Sequence, residues 1–389
     1  MEKLAIISTH PIQYYAPWFR HIANTYYLRI KVFYLWDFGI KATIDMGFQQ
    51  TIKWDIPLLD GYNYEFVPNL SNDPGVHTFW GLQNPSLASR VKEYNPDAVL
   101  LMCYNYASIY RFLWYWNYHQ IPLLFRGDSH RLVLPTGTKE WARRQFIMQI
   151  YRRFAACLYV GKANYDYFRY HGVLEKNLFF SPHAVDNERF FQQTETATHK
   201  AVLWKQELGI PSHHAVILFA GKFEPQKCPM DLLLAFLEAN ISDVSLLFVG
   251  AGSLEKNLKH IAKGHSNIYF APFQNQTLMP RTYASADLLV LPSYSETWGL
   301  AVNEAMCLGL PIIVSNYVGC AQNLIHQHRN GLIFPAGNVS ALANSLKEAF
   351  SDRQRLQHWG EESIKIVSDY NYTQATLGLK QALQYTQLL

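Results

Sequence analysis

Charged residues are scarce in this sequence. Lys, Arg, Asp and Glu make up 16% of its 389 residues, whereas roughly 25% is typical of soluble domains. The formal net charge is only +4, and domains that bind nucleic acid usually concentrate positive charge on one surface. The composition therefore excludes nucleic acid as an expected partner.

Cysteine is also rare. The sequence has five cysteines, without a Cys-x-x-Cys pair or a histidine at zinc-ligand spacing, and such spacings mark most structural zinc sites. We therefore expect free thiols, as in a reducing cytoplasm. The cysteines are Cys103, Cys157, Cys228, Cys307 and Cys320.

Long hydrophobic runs are missing as well. The N-terminus has four consecutive apolar residues, too few for the apolar core of a signal peptide. In the segment 98–125 Arg111 is the only formal charge, but polar residues and Pro122 interrupt it, and a spanning helix needs about 20 apolar residues. This segment is predicted to be a buried strand–helix–strand unit of a cytoplasmic protein.

Short runs of β-branched and aromatic residues alternate with helical patterns along the chain, which is typical of parallel α/β layers. A polar region at 184–214, with one predicted helix, separates two series of strands. We predict two doubly wound domains, 1–190 and 191–370, and a C-terminal helix at 371–389 that packs back on the first. The strands are predicted at 4–8, 30–35, 65–68, 98–102, 123–126, 157–160, 178–181, 215–220, 245–249, 268–271, 288–291, 312–315 and 332–334.

The strongest motif follows the predicted strand at 288–291. A loop carries Glu296, and a predicted helix then continues to Glu304. Backbone N–H groups at a helix start favour a phosphate, and the carboxylate of Glu304 can accept hydrogen bonds from a ribose diol. The N–H groups expected to bind phosphate belong to Thr297, Trp298, Gly299 and Leu300.

A second motif follows the predicted strand at 215–220. Gly221 opens a loop that carries Lys222 and Lys227. Two cations at this spacing can flank a diphosphate and stabilise the charge that builds on a leaving group.

Together these segments resemble the retaining glycosyltransferases of family 4. The two glutamates are followed by Ala-Met-x-x-Gly-x-Pro, and the Gly-Lys-x-x-x-x-Lys loop and the stretch 330–337 match in order and spacing. The resemblance is strong over 200–370. In the first half it rests on the loop at 8–17 and on the stretch 125–130.

The resemblance implies an α/β protein with the GT-B fold, in which two Rossmann-like domains face each other across a cleft. A nucleotide diphosphate sugar is then the donor, and no cofactor is expected. Glu296 contacts the donor sugar, Glu304 the ribose, and Lys222 and Lys227 the diphosphate. His130 resembles the first-domain histidine near the reacting carbon. The catalytic residues implied are His130, Glu296 and Lys227, and Gly221 and Phe273 complete the donor site.

Two departures from the family pattern concern loop shape and the acceptor. Cys228 stands where the family usually has glycine, and His10-Pro11 replaces a glycine-rich first loop. His10 and Asp128 are the predicted acceptor-side residues. The sequence has no Asp-x-Asp, so the metal-chelating pair of the other large glycosyltransferase fold is missing and no metal is expected.

Plain structural explanations remain open for several of these residues. Glu296 and Glu304 also suit an ordinary helix start, His130 a loop and His10 a turn before proline. The segment 139–154 is predicted to be a basic amphipathic helix, which indicates either a core helix with basic edges or a peripheral contact with the inner face of a membrane. The residues expected on its apolar stripe are Phe146, Ile147, Ile150, Tyr151 and Phe154. A membrane contact would suit a lipid-linked acceptor.

The sequence thus predicts a retaining, metal-independent glycosyltransferase that acts on a glycan, a lipid-linked glycan or a small metabolite. A GT-B epimerase or phosphorylase and a non-catalytic GT-B scaffold are the alternatives. Of the 58 aromatic residues 40 lie at positions 1–200, where the net charge is +5, against −1 for the rest. The surplus of aromatic residues therefore belongs to the expected acceptor half. Aromatic faces suit contact with sugar rings or with a membrane surface.

Overall fold

The computed structural model describes residues 3–25, 28–40, 43–45, 47–116, 120–133 and 137–387. The chain divides into two compact units. Unit 1 comprises Met1–Thr43, Ile52–Pro182 and Tyr372–Leu389, and unit 2 comprises Ile44–Thr51 and His183–Asn371. Each unit is an α/β domain built on a parallel sheet.

Unit 1 contains a seven-stranded parallel sheet in the order β5-β2-β1-β6-β7-β8-β9. Its strands are β1 (Lys3–Ser8), β2 (Arg29–Tyr34), β5 (Asn63–Phe66), β6 (Ala98–Leu101), β7 (Leu123–Gly127), β8 (Ala156–Tyr159) and β9 (Leu178–Phe180). Its helices are α1 (Ala16–Thr25), α2 (Leu87–Tyr94), α3 (Ala107–Trp116), α4 (Thr138–Tyr151), α5 (Lys162–Tyr170) and α14 (Tyr372–Thr386). Between β2 and β5 in the chain, β3 (Thr43–Asp45) and β4 (Gln50–Ile52) pair in a separate two-stranded sheet.

Unit 2 contains a six-stranded parallel sheet in the order β12-β11-β10-β13-β14-β15. Its strands are β10 (Ala215–Ala220), β11 (Val244–Val249), β12 (Ile268–Ala271), β13 (Leu288–Leu291), β14 (Ile312–Ser315) and β15 (Gly331–Phe334). Its helices are α6 (Asn187–Glu207), α7 (Pro229–Ala239), α8 (Glu255–Ile261), α9 (Met279–Ala284), α10 (Leu300–Cys307), α11 (Ala321–Leu324), α12 (Val339–Phe350) and α13 (Arg353–Val367).

The central strands of both sheets were recognisable from the sequence because their residues are buried on both faces of the sheet. All residues of β6, β11, β13 and β14 are buried, as expected for the central strands of parallel sheets covered by helices. The two doubly wound α/β domains predicted from the sequence are therefore confirmed.

The hairpin of β3 and β4 was not expected. Its residues Ile44–Thr51 lie within the predicted N-terminal domain, yet they group with unit 2. The reason is local contact, because Asp45 pairs with Lys222 and the Phe48 ring packs 4.7 Å from that of Phe273. The main division falls after Pro182, earlier than the predicted residue 190.

The C-terminal helix α14 is part of unit 1, where it packs against β8, β9 and α1. The indole of Trp18 donates a hydrogen bond to Thr376 Oγ1 at 3.0 Å. A Cβ atom on Gly378 would lie only 1.9 Å from the carbonyl oxygen of Phe180. Glycine is therefore what lets the helix approach the sheet this closely.

Helix α4 covers most of the basic amphipathic segment 139–154. Ile147, Ile150 and Phe154 are buried in the core of unit 1, but the Phe146 ring, expected on the same stripe, is 55% exposed. Phe146 precedes Ile147 by one position, and one residue turns the side chain by about 100° around a helix. Among the described residues, no helix combines the length and the apolar character that a membrane span requires.

Candidate functional site

The strand order of unit 2 identifies its ligand-binding edge. The chain continues from β10 to β11 on one side and later adds β13 on the other, so the order reverses between β10 and β13. In open α/β sheets, ligands bind beside the carboxyl ends of the strands at such a point. Lys222 and Lys227 follow β10, and Glu296 follows β13. The N–H of Tyr294 donates to the carbonyl of Gln226 at 2.9 Å and joins the two loops.

Lys227 and Glu296 form an ion pair across these loops. The side chains are 21% and 15% exposed, so each is accessible from solvent on one side. Both residues were predicted to contact the sugar donor. The Lys227 ammonium was expected to contact its diphosphate, and the Glu296 carboxylate its sugar. The structure brings them together, and each neutralises the charge of the other.

Lys222 is held by a different carboxylate, that of Asp45. Their Nζ and Oδ1 atoms are 2.8 Å apart. The same Oδ1 accepts hydrogen bonds from the backbone N–H groups of Gly47 at 2.8 Å and Phe48 at 3.0 Å, which fixes the turn between β3 and β4. Asp45 is a contact that the sequence analysis missed, because 177 residues separate it from Lys222.

Phe273, another predicted donor-site residue, follows β12 and contacts Phe48 of the same turn. The ammonium of Lys222 also lies 4.9 Å from the centre of the Phe48 ring. The turn between β3 and β4 thus contacts two predicted donor-site residues.

Helix α10 begins at Leu300 after a left-handed glycine. Gly299 has φ +97°, a conformation that glycine adopts without steric cost. A Cβ atom there would lie 2.9 Å from Leu291 and 3.1 Å from Val318. The buried indole of Trp298 donates to Asn303 Oδ1 at 2.8 Å. Trp298 therefore has a structural side chain, and its predicted role rests on its backbone N–H.

Glu304 lies on α10 with its side chain almost completely buried. The hydroxyl of Tyr283, on α9, donates to Glu304 Oε2 at 2.7 Å. Tyr283 thus orients the carboxylate predicted to hold the ribose, and no local sequence pattern indicates this pairing. Burial raises the pKa of the Cys307 thiol on the same helix, and the negative charge of Glu304 adds to that effect.

The loop that carries Lys222 is fixed by close backbone contacts. Gly221 donates its N–H to Val249 at 3.0 Å, and a Cβ atom on Gly250 would lie 1.9 Å from the Gly221 carbonyl oxygen. The Gly250-Ala-Gly252 sequence therefore serves backbone packing.

Cys228 has the backbone conformation that explains the glycine usual at this place in the family. It lies in the left-handed region with φ 51° and ψ 42°, where a side chain is costly. Its Sγ lies 3.3 Å from the carbonyl oxygen of Pro225. Burial raises the pKa of this thiol above its ordinary value.

The predicted residues of the first half lie in unit 1, near the carboxyl ends of β1 and β7. His130 Nδ1 accepts a hydrogen bond from the N–H of Leu132 at 3.3 Å. Asp128 lies near Tyr15, and burial together with the Asp128 charge raises the pKa of that phenol to about 12. His10 contacts the rings of Trp36 and Phe38 edge-on. The catalytic and acceptor-side roles of these residues stay predictions.

Within the described part of the chain, one cluster has the composition and spacing of metal ligands. It consists of His213, His214 and Asp243. These residues precede β10 and β11 and therefore lie at the amino ends of the strands, whereas Lys227 and Glu296 follow the carboxyl ends. The cluster is at the opposite edge of the sheet from the candidate site.

The two predicted donor-site motifs lie within the part of the chain that matches a family model. Residues 202–366 match the family model described as "Glycosyl transferases group 1". Sulfoquinovosyl transferase SQD2 of Arabidopsis thaliana is 22% identical over 76% of this chain and 58% of its own length. D-inositol 3-phosphate glycosyltransferase of Nocardia farcinica is 26% identical over 46% of this chain and 42% of its own. The chain spans about half the length of the curated relatives it matches.

Solved structures match the whole chain. Anabaena Alr3699/HepE in complex with UDP and glucose has a TM-score of 0.74 at 15% identity, over 99% of this chain and 100% of its own. Sucrose-phosphate synthase of Thermosynechococcus elongatus has a TM-score of 0.72 at 18% identity, over 100% of this chain and 99% of its own. Likeness at such low identity concerns the fold. Residues 202–366 therefore carry the sequence pattern of the glycosyl transferases group 1 family, on a chain whose two Rossmann-like domains match the GT-B fold.

Proposed function

We propose that this protein is a retaining, metal-independent family 4 glycosyltransferase. It transfers a hexosyl group from a nucleotide diphosphate sugar to a hydroxyl of a glycan, a lipid-linked glycan or a small metabolite. The observation that carries the proposal is the meeting of the Lys227 and Glu296 loops at the switch point of unit 2, inside the family match. Relatives named as glycosyltransferases and HepE structures with UDP and UDP-glucose support a nucleotide sugar as donor.

The donor displaces the ion pairs of the site. Its diphosphate forms ion pairs with the ammonium groups of Lys222 and Lys227 and accepts hydrogen bonds from N–H groups at the start of α10. Glu296, released from Lys227, accepts hydrogen bonds from hydroxyls of the donor sugar. Glu304, already oriented by Tyr283, accepts those of the ribose.

Transfer with retention needs no carboxylate base. As the bond from the anomeric carbon to the phosphate oxygen breaks, the acceptor oxygen bonds to the same face of that carbon. The departing phosphate takes the proton of the acceptor hydroxyl, so charge and protons balance. The lysines stabilise the negative charge that develops on the diphosphate, and His130 is the residue of unit 1 proposed to contact the reacting groups.

A peripheral membrane contact is proposed for the 139–154 segment through its exposed rings. Arg144 donates to the carbonyl of Tyr170 at 2.9 Å and Arg153 to that of Leu113 at 3.1 Å, so these arginines stabilise unit 1 itself. The Trp141 and Phe146 rings are 64% and 55% exposed. Replacing both by serine should abolish sedimentation with phosphatidylglycerol vesicles. Unchanged sedimentation would refute the contact.

The test of the proposed function begins with the donor. A thermal-shift panel of UDP, GDP and ADP sugars should raise the melting temperature with one base, because a ligand that binds only the folded state stabilises it. The selected donor is then incubated with hexoside acceptors in EDTA. NMR of the product should show the anomeric configuration of the donor.

The same assay separates the alternatives. A phosphorylase would form sugar phosphate from a glycan and phosphate without any nucleotide. An epimerase would convert the sugar nucleotide without transfer. A scaffold would bind none of the donors. Inversion at the anomeric carbon, or activity that EDTA abolishes, would contradict the proposed mechanism.

A further inference from the structure

Unit 1 contains a cavity of about 520 Å³ that is distinct from the donor-site residues of unit 2. Leu35 and Val67 line it, and they follow the carboxyl ends of β2 and β5. The volume falls in the range of about 300–1,000 Å³ that is usual for small-molecule sites. The carboxyl edge of a parallel sheet is also where ligands bind in α/β domains.

The walls of this cavity are held in place by one buried amide. The Nδ2 atom of Asn84 lies 3.0 Å from the carbonyl oxygen of Leu35, 2.8 Å from that of Val67 and 3.1 Å from that of Pro68. Ser108 donates to Asn84 Oδ1 at 2.9 Å. Because both wall segments are already fixed, a ligand loses little affinity to ordering them.

The indole ring of Trp36 is among the groups that line the cavity. Trp36 stacks on Phe38 with 4.8 Å between ring centres and an interplanar angle of 26°. His10 packs on Trp36 edge-on at 5.7 Å. These neighbours fix the orientation of the indole, and a partly exposed indole can pack on the C–H face of a pyranose.

Asp37 is the charged side chain among the described residues that line the cavity. A carboxylate only accepts hydrogen bonds, and sugar hydroxyls donate them. The same negative charge repels a phosphate group. The chemistry of the cavity therefore suits a neutral ring with hydroxyl groups.

We infer that this cavity binds a neutral hexopyranose ring of the acceptor, with a C–H face on Trp36 and hydroxyls on Asp37. The inference rests on the proposed function, since it takes the acceptor to be a sugar. It also narrows that function, because a phosphorylated ring is excluded here, whereas several curated relatives are named for D-inositol 3-phosphate.

The experiment measures sugar binding to the full chain without a donor. Saturation-transfer NMR and titrations use methyl glucoside, galactoside and mannoside as probes, with glucose 6-phosphate as the charged probe. We expect at least one methyl hexoside to bind, and Trp36→Ala and Asp37→Asn each to raise its Kd about tenfold. The matched controls Trp114→Ala and Asp166→Asn replace exposed residues of unit 1 and should leave the Kd unchanged.

Three results would overturn the inference. First, the native chain binds none of the methyl hexosides. Second, both cavity variants bind the methyl hexoside with an unchanged Kd. Third, glucose 6-phosphate binds more tightly than the methyl hexosides. Asp37→Asn changes no side-chain volume, so it remains decisive if Trp36→Ala unfolds. Nucleotide-sugar binding is measured in parallel. Its absence from a chain that binds hexosides through the cavity would refute the proposed function and leave the cavity assignment standing.

Discussion

Replacing Asp45 by asparagine is expected to strengthen nucleotide binding. Without a donor, the Asp45 carboxylate lies 2.8 Å from the ammonium of Lys222, where the proposed function places a diphosphate. Asparagine removes the charge but keeps an Oδ1 atom for the N–H groups of Gly47 and Phe48. The turn therefore persists, and only the competition for Lys222 changes.

The size of the effect follows from the exposure of the pair. The Lys222 and Asp45 side chains are 33% and 17% exposed, and such partly solvated pairs contribute about 0.2–1 kcal/mol. Loss of the repulsion between the carboxylate and the diphosphate acts in the same direction. We expect loss of the ion pair alone to lower the Kd of the preferred nucleoside diphosphate about 1.4-fold to fivefold, and less so at high ionic strength.

Calorimetric titration at low and high ionic strength is the assay. Asp369→Asn is the matched control, because it removes an exposed carboxylate from the same unit. Lys222→Met should weaken binding in either background. An unchanged or raised Kd in Asp45→Asn would refute competition between the carboxylate and the diphosphate.

Three further predictions concern catalysis and stability. Glu296→Ala and Lys227→Ala should each lower turnover about 100-fold, because they remove transition-state contacts; Lys259→Ala, which breaks an exposed ion pair on α8, should retain full activity. Gly378→Ala should destabilise the chain by about 1–3 kcal/mol in urea unfolding, since the added methyl group would lie 1.9 Å from a backbone oxygen. Burial lowers the pKa of His171, so the folded state favours the neutral imidazole. The resulting contribution to the free energy of unfolding is present above the pKa of the unfolded chain and is lost as the pH falls through the folded pKa. His171→Phe should therefore flatten the decline in unfolding free energy between neutral and mildly acidic pH, a slope of at most about 1.4 kcal/mol per pH unit for one proton.

Each of these has a contradicting result. Native turnover in both Glu296→Ala and Lys227→Ala would remove the site assignment. An unchanged urea midpoint in Gly378→Ala would mean that α14 can move away from the sheet. His171 is the expected group because its Nε2 atom is buried without a hydrogen bond among the described residues. If the pH dependence of the unfolding free energy were unchanged in His171→Phe, another group would have to titrate instead.

The motifs of the proposed donor site were recognisable from the sequence because the position of each depends on residues close to it in the chain. Lys227 and Glu296 each follow a strand within a few residues, so placing the strands places both side chains at the same sheet edge. For this reason the fold of each half could be predicted, and so could the position of these two loops at the carboxyl edge of the second sheet.

Pairings between distant residues could not be predicted in this way. The chain gives no local signal that Asp45 meets Lys222, or that Tyr283 binds Glu304. The exposure of Phe146 was missed for a related reason, because a stripe of apolar residues on a helix is wider than the surface that its neighbours cover.

The sequence by itself thus determined the strands of the two main sheets, the two-domain architecture and which residues are proposed as the donor site, because these depend on periodicity and on spacing along a few turns of chain. Only the tertiary structure decided which carboxylate neutralises which lysine, and how the segment 35–37 and Val67 come to line one cavity. Such contacts depend on how segments far apart in the chain pack, and side-chain order along the sequence carries no record of that packing.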